Sequence, residues 1–371
     1  MKFNKFALSE LATIKYGKNQ KKVLSESGNI PIYGTGGLMG YATTALYDKP
    51  SVLIGRKGTI GKVKYVEQLF WTVDTLFYTI INTDLVIPKY LFYVMSLIDL
   101  NNYNEGTTIP SLRTETLNRL EFDIPNLEEQ RKILSCLNPI DEKIELNNAI
   151  NNNLLEQVLA IYRHHFVDTT NELRQTCRAD EYFDISIGKT PPRKEPQWFS
   201  TNPKDVTWVS ISDMGTCGLY ISESSEQLTR KAIDRHNVKI VPDNTVLLSF
   251  KLTVGRIAIT DGEMTTNEAI AHFKTDKKEI NEYLYCYLKC FNYQTMGSTS
   301  SIATAVNSKI IKGMPFVVPT DEEITEFHSL AAPMFAKIKA NQAEIRNLTS
   351  LRDTLLPKLM SGELDVSGID L

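Results

Sequence analysis

The chain has 371 residues, 42% of them hydrophobic, and a formal net charge of −3. That length suits two or three domains with material for two cores, and the charge alone argues against a nucleic-acid binder. No apolar run approaches the length of a membrane span, and the N-terminal MKFNKFALSELATIKYG lacks the apolar stretch of a signal peptide.

The cysteines (Cys136, Cys177, Cys217, Cys286 and Cys290) are odd in number and scattered. No disulfide framework is expected, and a reducing cytoplasm fits. Cys286 and Cys290, one helical turn apart in a Tyr/Leu-rich stretch, read as small buried residues rather than a metal pair.

In chain order, a strand-rich region comes first: IPIYGTGGLMGYA, SVLIGRKGTIGKVKYV and LFWTVDTLFYTI are β-branched and aromatic runs bounded by turn residues. A short helix is expected from Pro88 to Tyr93, with Pro88 suited to a first turn. A Ser/Thr-rich loop, GTTIPSLRT, leads to an extended segment ending at Pro125. A long helix follows. The same order then recurs: VTWVSISDMG, NTVLLSFKLTVGRIAIT and EAIAHFK as strands, a short helix from Asn281 to Tyr285, the loop GSTSSIATAVNS, an extended segment ending at Pro319, and a second long helix.

The recurrence is an internal repeat. VLIGRKGTIGKVKYV at 52–66 aligns without a gap on VLLSFKLTVGRIAIT at 246–260, an offset of 194 residues. LNRLEFDIPNLEE at 117–129 and KIELNN at 143–148 keep that offset onto 311–323 and 337–342. A domain-sized period implies two similar modules rather than a solenoid.

In the long helices, positions 133 to 161 and their counterparts 327 to 355 alternate steps of four and three, a heptad seam. Ile144, Asn147 and Leu154, and Ile338, Asn341 and Leu348, are the helix-pairing candidates; Asn147 and Asn341 sit at equivalent seam positions, where buried Asn fixes register. Pro139 and Pro333 are also equivalent, and each is expected to kink or break its helix. Pro139–Phe166 and Pro333–Met360 remain as uninterrupted stretches of ~40 Å each. The expected domains are 1–125, a helix over 126–168, 169–319, and a helix with tail over 320–371. The fold class is α+β: two similar mixed α/β domains separated by two long antiparallel coiled-coil helices, with a pseudo-two-fold internal repeat.

Catalytic motifs are absent from the sequence. GRKGTIGKV at 55–63 has five residues between its outer glycines rather than four, and Val63 stands where a P-loop needs Ser or Thr, so it reads as strand–turn–strand. There is no GxSxG elbow and no HExxH, and five scattered histidines give no metal-ligand spacing. Thr190-Pro191-Pro192-Arg193 lacks the leading Asn/Asp and closing aromatic of an amino-methyltransferase loop. Neither covalent chemistry nor a cofactor or metal of its own is expected of this chain.

Charge is nevertheless unevenly spread. Between Lys15 and Lys64 nine basic residues face only Glu26 and Asp48. Local field matters more to a phosphate backbone than total charge. The repeated strand pair carries cations and hydroxyls at its turn: Arg56, Lys57, Thr59, Lys62 and Lys64 in the first copy, Lys251, Thr253 and Arg256 in the second. Lys and Arg neutralise phosphate or donate to guanine, and Thr donates, accepts or touches a thymine methyl. Lys15, Lys18 and the Gly-rich turn with Tyr33 and Thr35 complete the first candidate surface; Lys189, Thr190, Arg193 and Asn267 complete the second. The copies share framework residues and differ at polar ones, as two reading heads for different sequences would.

These features meet a family. PIYGTGG, VLIGRKGTIGKV, IPNLEEQRKIL and above all NLTSLRDTLLPKLMSGEL at 347–364 resemble the specificity subunit of Type I restriction-modification systems, over essentially the whole chain. Glu323-Ile324-Thr325 departs modestly from Glu129-Gln130-Arg131 of the first copy. The resemblance implies two target recognition domains, each reading half of a split site in double-stranded DNA, and a helical spacer. It also implies recruitment of two adenine methyltransferase subunits and, in the full complex, two translocating restriction subunits; S-adenosylmethionine and ATP would belong to those partners. A coiled-coil scaffold that never touches DNA, an orphan specificity-like DNA-binding protein, and a DNA-modifying enzyme in its own right remain as alternatives.

Overall fold

The computed structural model describes residues 1–169, 174–296 and 307–369. Most of the second Ser/Thr-rich loop, 297–306, lies outside them. The chain divides into two compact units: unit 1 is Met1–Lys143 with Asn347–Leu371, and unit 2 is Ile144–Arg346.

Unit 1 begins with β1 (Phe3–Ala7), α1 (Leu8–Leu11), β2 (Ala12–Tyr16), β3 (Ile30–Gly34), β4 (Gly37–Ala42), β5 (Ser51–Gly55), β6 (Val63–Val66), β7 (Trp71–Thr72) and β8 (Leu76–Ile81). Then come α2 (Pro88–Ser96), α3 (Thr114–Asn118), β9 (Glu121–Pro125) and the start of α4 (Leu127–Tyr162). The strands make a four-stranded sheet in the order β2-β8-β5-β6, a three-stranded sheet β4-β3-β7, and the pair β1-β9. Gly55–Val63 is the strand–turn–strand expected of it, since β5 and β6 pair antiparallel around it.

Unit 2 repeats this plan. It contains β10 (Gln175–Arg178), α5 (Ala179–Tyr182), β11 (Asp184–Ile187), β12 (Phe199–Ser200), β13 (Val206–Val209), α6 (Ile211–Thr216), β14 (Tyr220–Ile221) and β15 (Glu226–Leu228). After α7 (Arg230–His236) come β16 (Val246–Ser249), β17 (Ile257–Thr260), β18 (Thr265–Thr266), β19 (Ile270–Lys274), α8 (Asn281–Cys290), α9 (Ser308–Lys312), β20 (Pro315–Val318) and α10 (Asp321–Met360). Its main sheet runs β11-β19-β16-β17, matching β2-β8-β5-β6, with β14 added at the edge. Its smaller sheet runs β12-β15-β13-β18, and β10-β20 matches β1-β9. Even the mixed polarity is kept: β3 pairs parallel with β7, and β13 parallel with β18.

Each core includes an end of both long helices. In unit 1, Ile133, Leu134 and Leu137 of α4 join Leu356, Leu359 and Met360 of α10 beside Leu11, Ile54, Phe77 and Tyr90. In unit 2, Val158 and Tyr162 join Phe327, Ala331, Phe335 and Ile338. The helices run antiparallel within each unit, since Asp141 meets Arg352 at 3.3 Å in unit 1 and Asn147 meets Glu344 at 2.8 Å in unit 2. Asn126 caps α4 by accepting from Glu129 N, and Thr320 caps α10 in a reciprocal box with Glu323.

Two details differ from expectation. Pro139 and Pro333 interrupt neither helix: α4 and α10 are continuous through them. A proline removes one helical hydrogen bond, and the buried residues around it (Leu137 and Ile140; Ala331 and Phe335) hold both sides of the turn in the core. Asn147 and Asn341 are both buried at the seam, yet they do not bond each other: Asn341 donates to Asn151 at 2.8 Å. The departure at 130 also has a cause. Gln130, fully buried, accepts from Ile87 N and donates to Leu85 O and Pro125 O at 2.8–2.9 Å. Its counterpart Ile324 simply packs in the apolar core of unit 2.

One buried polar group marks the unit 2 sheet. His272 on β19 lies between Thr266 Oγ1 (2.7 Å from Nε2) and Ser186 Oγ (3.1 Å from Nδ1). Burial, helped by Lys274, pushes its imidazole down to about 3, so it is neutral at ordinary pH.

Candidate nucleic-acid interface

In unit 1 the antiparallel ladder β2-β8-β5 brings the C-terminal ends of β2 and β5 to one edge beside the start of β8. Gly17 N donates to Leu76 O at 3.0 Å, Lys18 N to Thr72 O at 2.8 Å, and the Trp71 indole to Lys18 O at 2.8 Å. A Cβ on Gly17 would lie 2.0 Å from Val73 O, so only glycine permits this approach. The backbone of exposed Lys18 is thereby fixed at the edge.

Arg56 follows β5. Its N donates to Thr75 O at 2.9 Å, its guanidinium donates to Asp74 O at 2.8 Å, and the same group lies 5.0 Å over the exposed Tyr16 ring. Lys57 and Thr59 are exposed on either side of Gly58, whose φ is +85°. Thr35 Oγ1 approaches to 4.0 Å of where a Gly58 Cβ would be, so the Gly-rich turn after β3 joins this edge. Lys62, just before β6, belongs to it too, as β6 runs antiparallel to β5. Lys15 and Lys64 are exposed on strands, Lys64 lying 4.8 Å over the Tyr33 ring. Tyr33 itself is only 8% exposed and packs with Leu53, Val66, Phe70 and Leu76, so it supports the surface from beneath.

Unit 2 builds the same edge. Gly188 N donates to Ile270 O at 3.1 Å and Lys189 N to Thr266 O at 2.9 Å, each acceptor lying 194 residues beyond its unit 1 equivalent. The Trp208 indole donates to Lys189 O at 3.3 Å, as Trp71 does to Lys18 O, although it comes from the neighbouring strand. Lys251 and Thr253 are exposed at the β16–β17 turn. Thr190 bonds Glu268; burial pushes the Glu268 carboxyl up, but the Thr190 hydroxyl, its own backbone N–H, Lys251 and Arg193 outweigh this and leave it below its ordinary value.

Three of the unit 2 candidates are taken by the fold. Arg193 pairs with Glu226 through two 2.8 Å bonds and stacks on Phe199 and Trp208. Arg256 turns inward to Ile211 O at 2.5 Å. Asn267 is half-buried and accepts from Ala269 N at 3.0 Å, closing a turn. Lys189 reaches His236 O at 2.6 Å, and its ammonium keeps further donors.

Of the helix candidates, Asn147, Asn341 and Ile338 are buried in unit 2, and Ile144, Leu154 and Leu348 are half-buried. Two features escaped sequence reasoning. The Gly-Lys pair repeats at 17–18 and 188–189, an offset of 171, and the insertion that lengthens unit 2 hides it from the 194-residue register. Leu252, the repeat mate of Gly58, is 99% exposed with φ +60°. The alignment itself set a leucine against a glycine there.

Such an edge can neutralise phosphates through Lys and Arg, and can present hydroxyls and a carboxylate to base edges. Against known proteins, a family described as the Type I restriction modification DNA specificity domain matches residues 1–156 and 172–345. The chain belongs to this family. It is 27% identical over 357 residues to the MjaIX specificity subunit of Methanocaldococcus jannaschii, covering 87% of this chain and 80% of that protein. It is 23% identical over 365 residues to the HindI specificity subunit of Haemophilus influenzae, covering 76% and 79%. Its fold is similar to that of the Type I S subunit from M. genitalium, with a TM-score of 0.58 at 17% identity over 97% and 96% of the two chains. The α+β class, with two similar mixed units and two long helices, is therefore that of a Type I specificity subunit. Among the described residues no helix is long and apolar enough to cross a membrane.

Proposed function

We propose that this chain is the non-catalytic DNA-reading subunit of a Type I restriction-modification complex, each unit reading one half of a bipartite site in cytoplasmic double-stranded DNA. The observation that carries the reading is the basic edge, built twice on one scaffold: Lys18, Arg56 and Lys57 in unit 1, Lys189 and Lys251 in unit 2. Framework hydrogen bonds are held constant while the exposed polar residues differ. We assign recognition to residues 1–125 and 169–319, and spacing to the helical segments 126–168 and 320–371. Two methyltransferase subunits, with two restriction subunits in the full complex, supply the chemistry and its cofactors.

The test uses the chain assembled with its methyltransferase subunits. Replacing Lys18, Arg56 and Lys57 together by Ala should weaken DNA binding and flatten the dependence of log K on log salt by about 0.9 for each phosphate no longer neutralised. An unchanged slope in a folded, assembled variant would place the DNA face elsewhere.

A further inference from the structure

We propose that Leu252 is an apolar finger of unit 2, inserted against the bases of duplex DNA in the half-site that this unit reads. The inference rests on the DNA-reading function proposed above.

The turn that carries Leu252 is rigidly founded. Phe250 N donates to Ala269 O at 2.9 Å, the counterpart of the bond from Arg56 to Thr75. Ser249 Oγ donates to Thr253 O at 2.6 Å and accepts from Arg256 N at 3.0 Å. Thr253 N closes a three-residue turn onto Lys251 O at 2.6 Å. The central residue of that turn is Leu252, at φ +60°. A left-handed conformation disfavours a residue with a Cβ, and a γ-turn of this hand is rare and strained. Unit 1 answers the same requirement with Gly58 at φ +85°.

Among the described residues, nothing offsets the strain of a leucine there. The side chain is 99% exposed, so it packs on no core. Its surroundings are polar: Lys251 and Thr253 flank it, and Lys251 acts on the Glu268 carboxylate that holds Thr190. An isolated apolar tip between a lysine and a threonine is a poor protein-docking patch but suits a polyanion whose interior is apolar. Cations hold the phosphates, and a leucine reaches the base stack, where apolar wedges act in other DNA binders. Because unit 1 has glycine at this position, the finger also distinguishes the two halves of an asymmetric site.

The experiment uses the full chain assembled with its methyltransferase subunits and the methylated site mapped by sequencing. Affinity is measured for a duplex carrying that site and for a scrambled duplex. Leu252→Asn and Leu252→Gly both accept the left-handed turn and remove the apolar tip. Each should weaken the mapped duplex at least about fivefold, the size of one base-pair preference. Binding to the scrambled duplex should not change, and sequence preference should relax in one half-site only. Leu252→Met should retain most of the affinity. Unchanged affinity and preference in both variants, while Lys189→Ala with Lys251→Ala weakens binding, would overturn the finger and leave the DNA-reading function standing. Weakened assembly with the methyltransferase, at unaltered DNA affinity, would also overturn it. A wild-type complex that methylates no defined sequence would overturn both.

Discussion

The Asn147 side-chain amide donates to the Glu344 carboxylate across the antiparallel helices at 2.8 Å, and its repeat mate Asn341 donates instead to Asn151. Both asparagines are about 1% exposed, so each meets its partner away from bulk water. Buried polar groups with one satisfying partner fix register, because a slipped register leaves them unsatisfied.

Replacing Asn147 by Asp sets two carboxylates against each other at this seam. We expect a loss of about 1–3 kcal/mol at neutral pH, read by denaturant unfolding. Like-charge repulsion raises the folded-state pKa of the pair above its unfolded value. The penalty should therefore be full above that raised pKa and relieved as pH falls through it.

Acid should weaken unit 2 through His272. Its folded pKa, about 3, lies below the value near 6.5 for an unfolded histidine, so below pH 6.5 the unfolded chain binds a proton that the folded chain does not. Stability is present above pH 6.5 and is lost as pH falls toward 3, by about 2 kcal/mol between pH 6.5 and 5. Denaturant unfolding of His272→Gln across this range should show a shallower slope. An identical slope would mean that the imidazole is not what titrates.

Much of this architecture was legible in the sequence. Strand pairs, short helices and long helices recur at 194 residues because burial dictates apolar spacing, and apolar spacing is visible. What escaped is what depends on partners. Arg193 looks like a free cation until Glu226, Phe199 and Trp208 surround it, and Arg256 until Ile211 O takes it. Tyr33 looks exposed in a Gly-rich turn yet lies under Lys64. Pro139 reads as a breaker because the local rule counts one missing hydrogen bond and not the core on either side. The left-handed turn at Leu252 is set by hydrogen bonds from the Ser249 hydroxyl and the Thr253 backbone N–H, which no periodicity reports.

The helices are proposed to set the spacing of the half-sites. Their antiparallel pairing decides where an insertion keeps register, because Asn147 faces Glu344 and Asn151 faces Asn341. One heptad after Ala149 and one after Ala343 preserve both pairs. Each adds ~10 Å, about three base pairs of B-DNA. Methylation of a library with randomised spacers should shift to a longer optimum with unaltered half-sites. Assembled variants that keep the original optimum would show that the helices are not the ruler.

The most direct measurement is the methylation map of a chimaera. Residues 1–125 are replaced by the first module of another Type I specificity subunit, and the chimaera is assembled with the same methyltransferase subunits. Two units that read independently should change one half-site completely and leave the other half-site and the spacing as they were. A change in both half-sites, or in neither, would contradict modular reading by the two units.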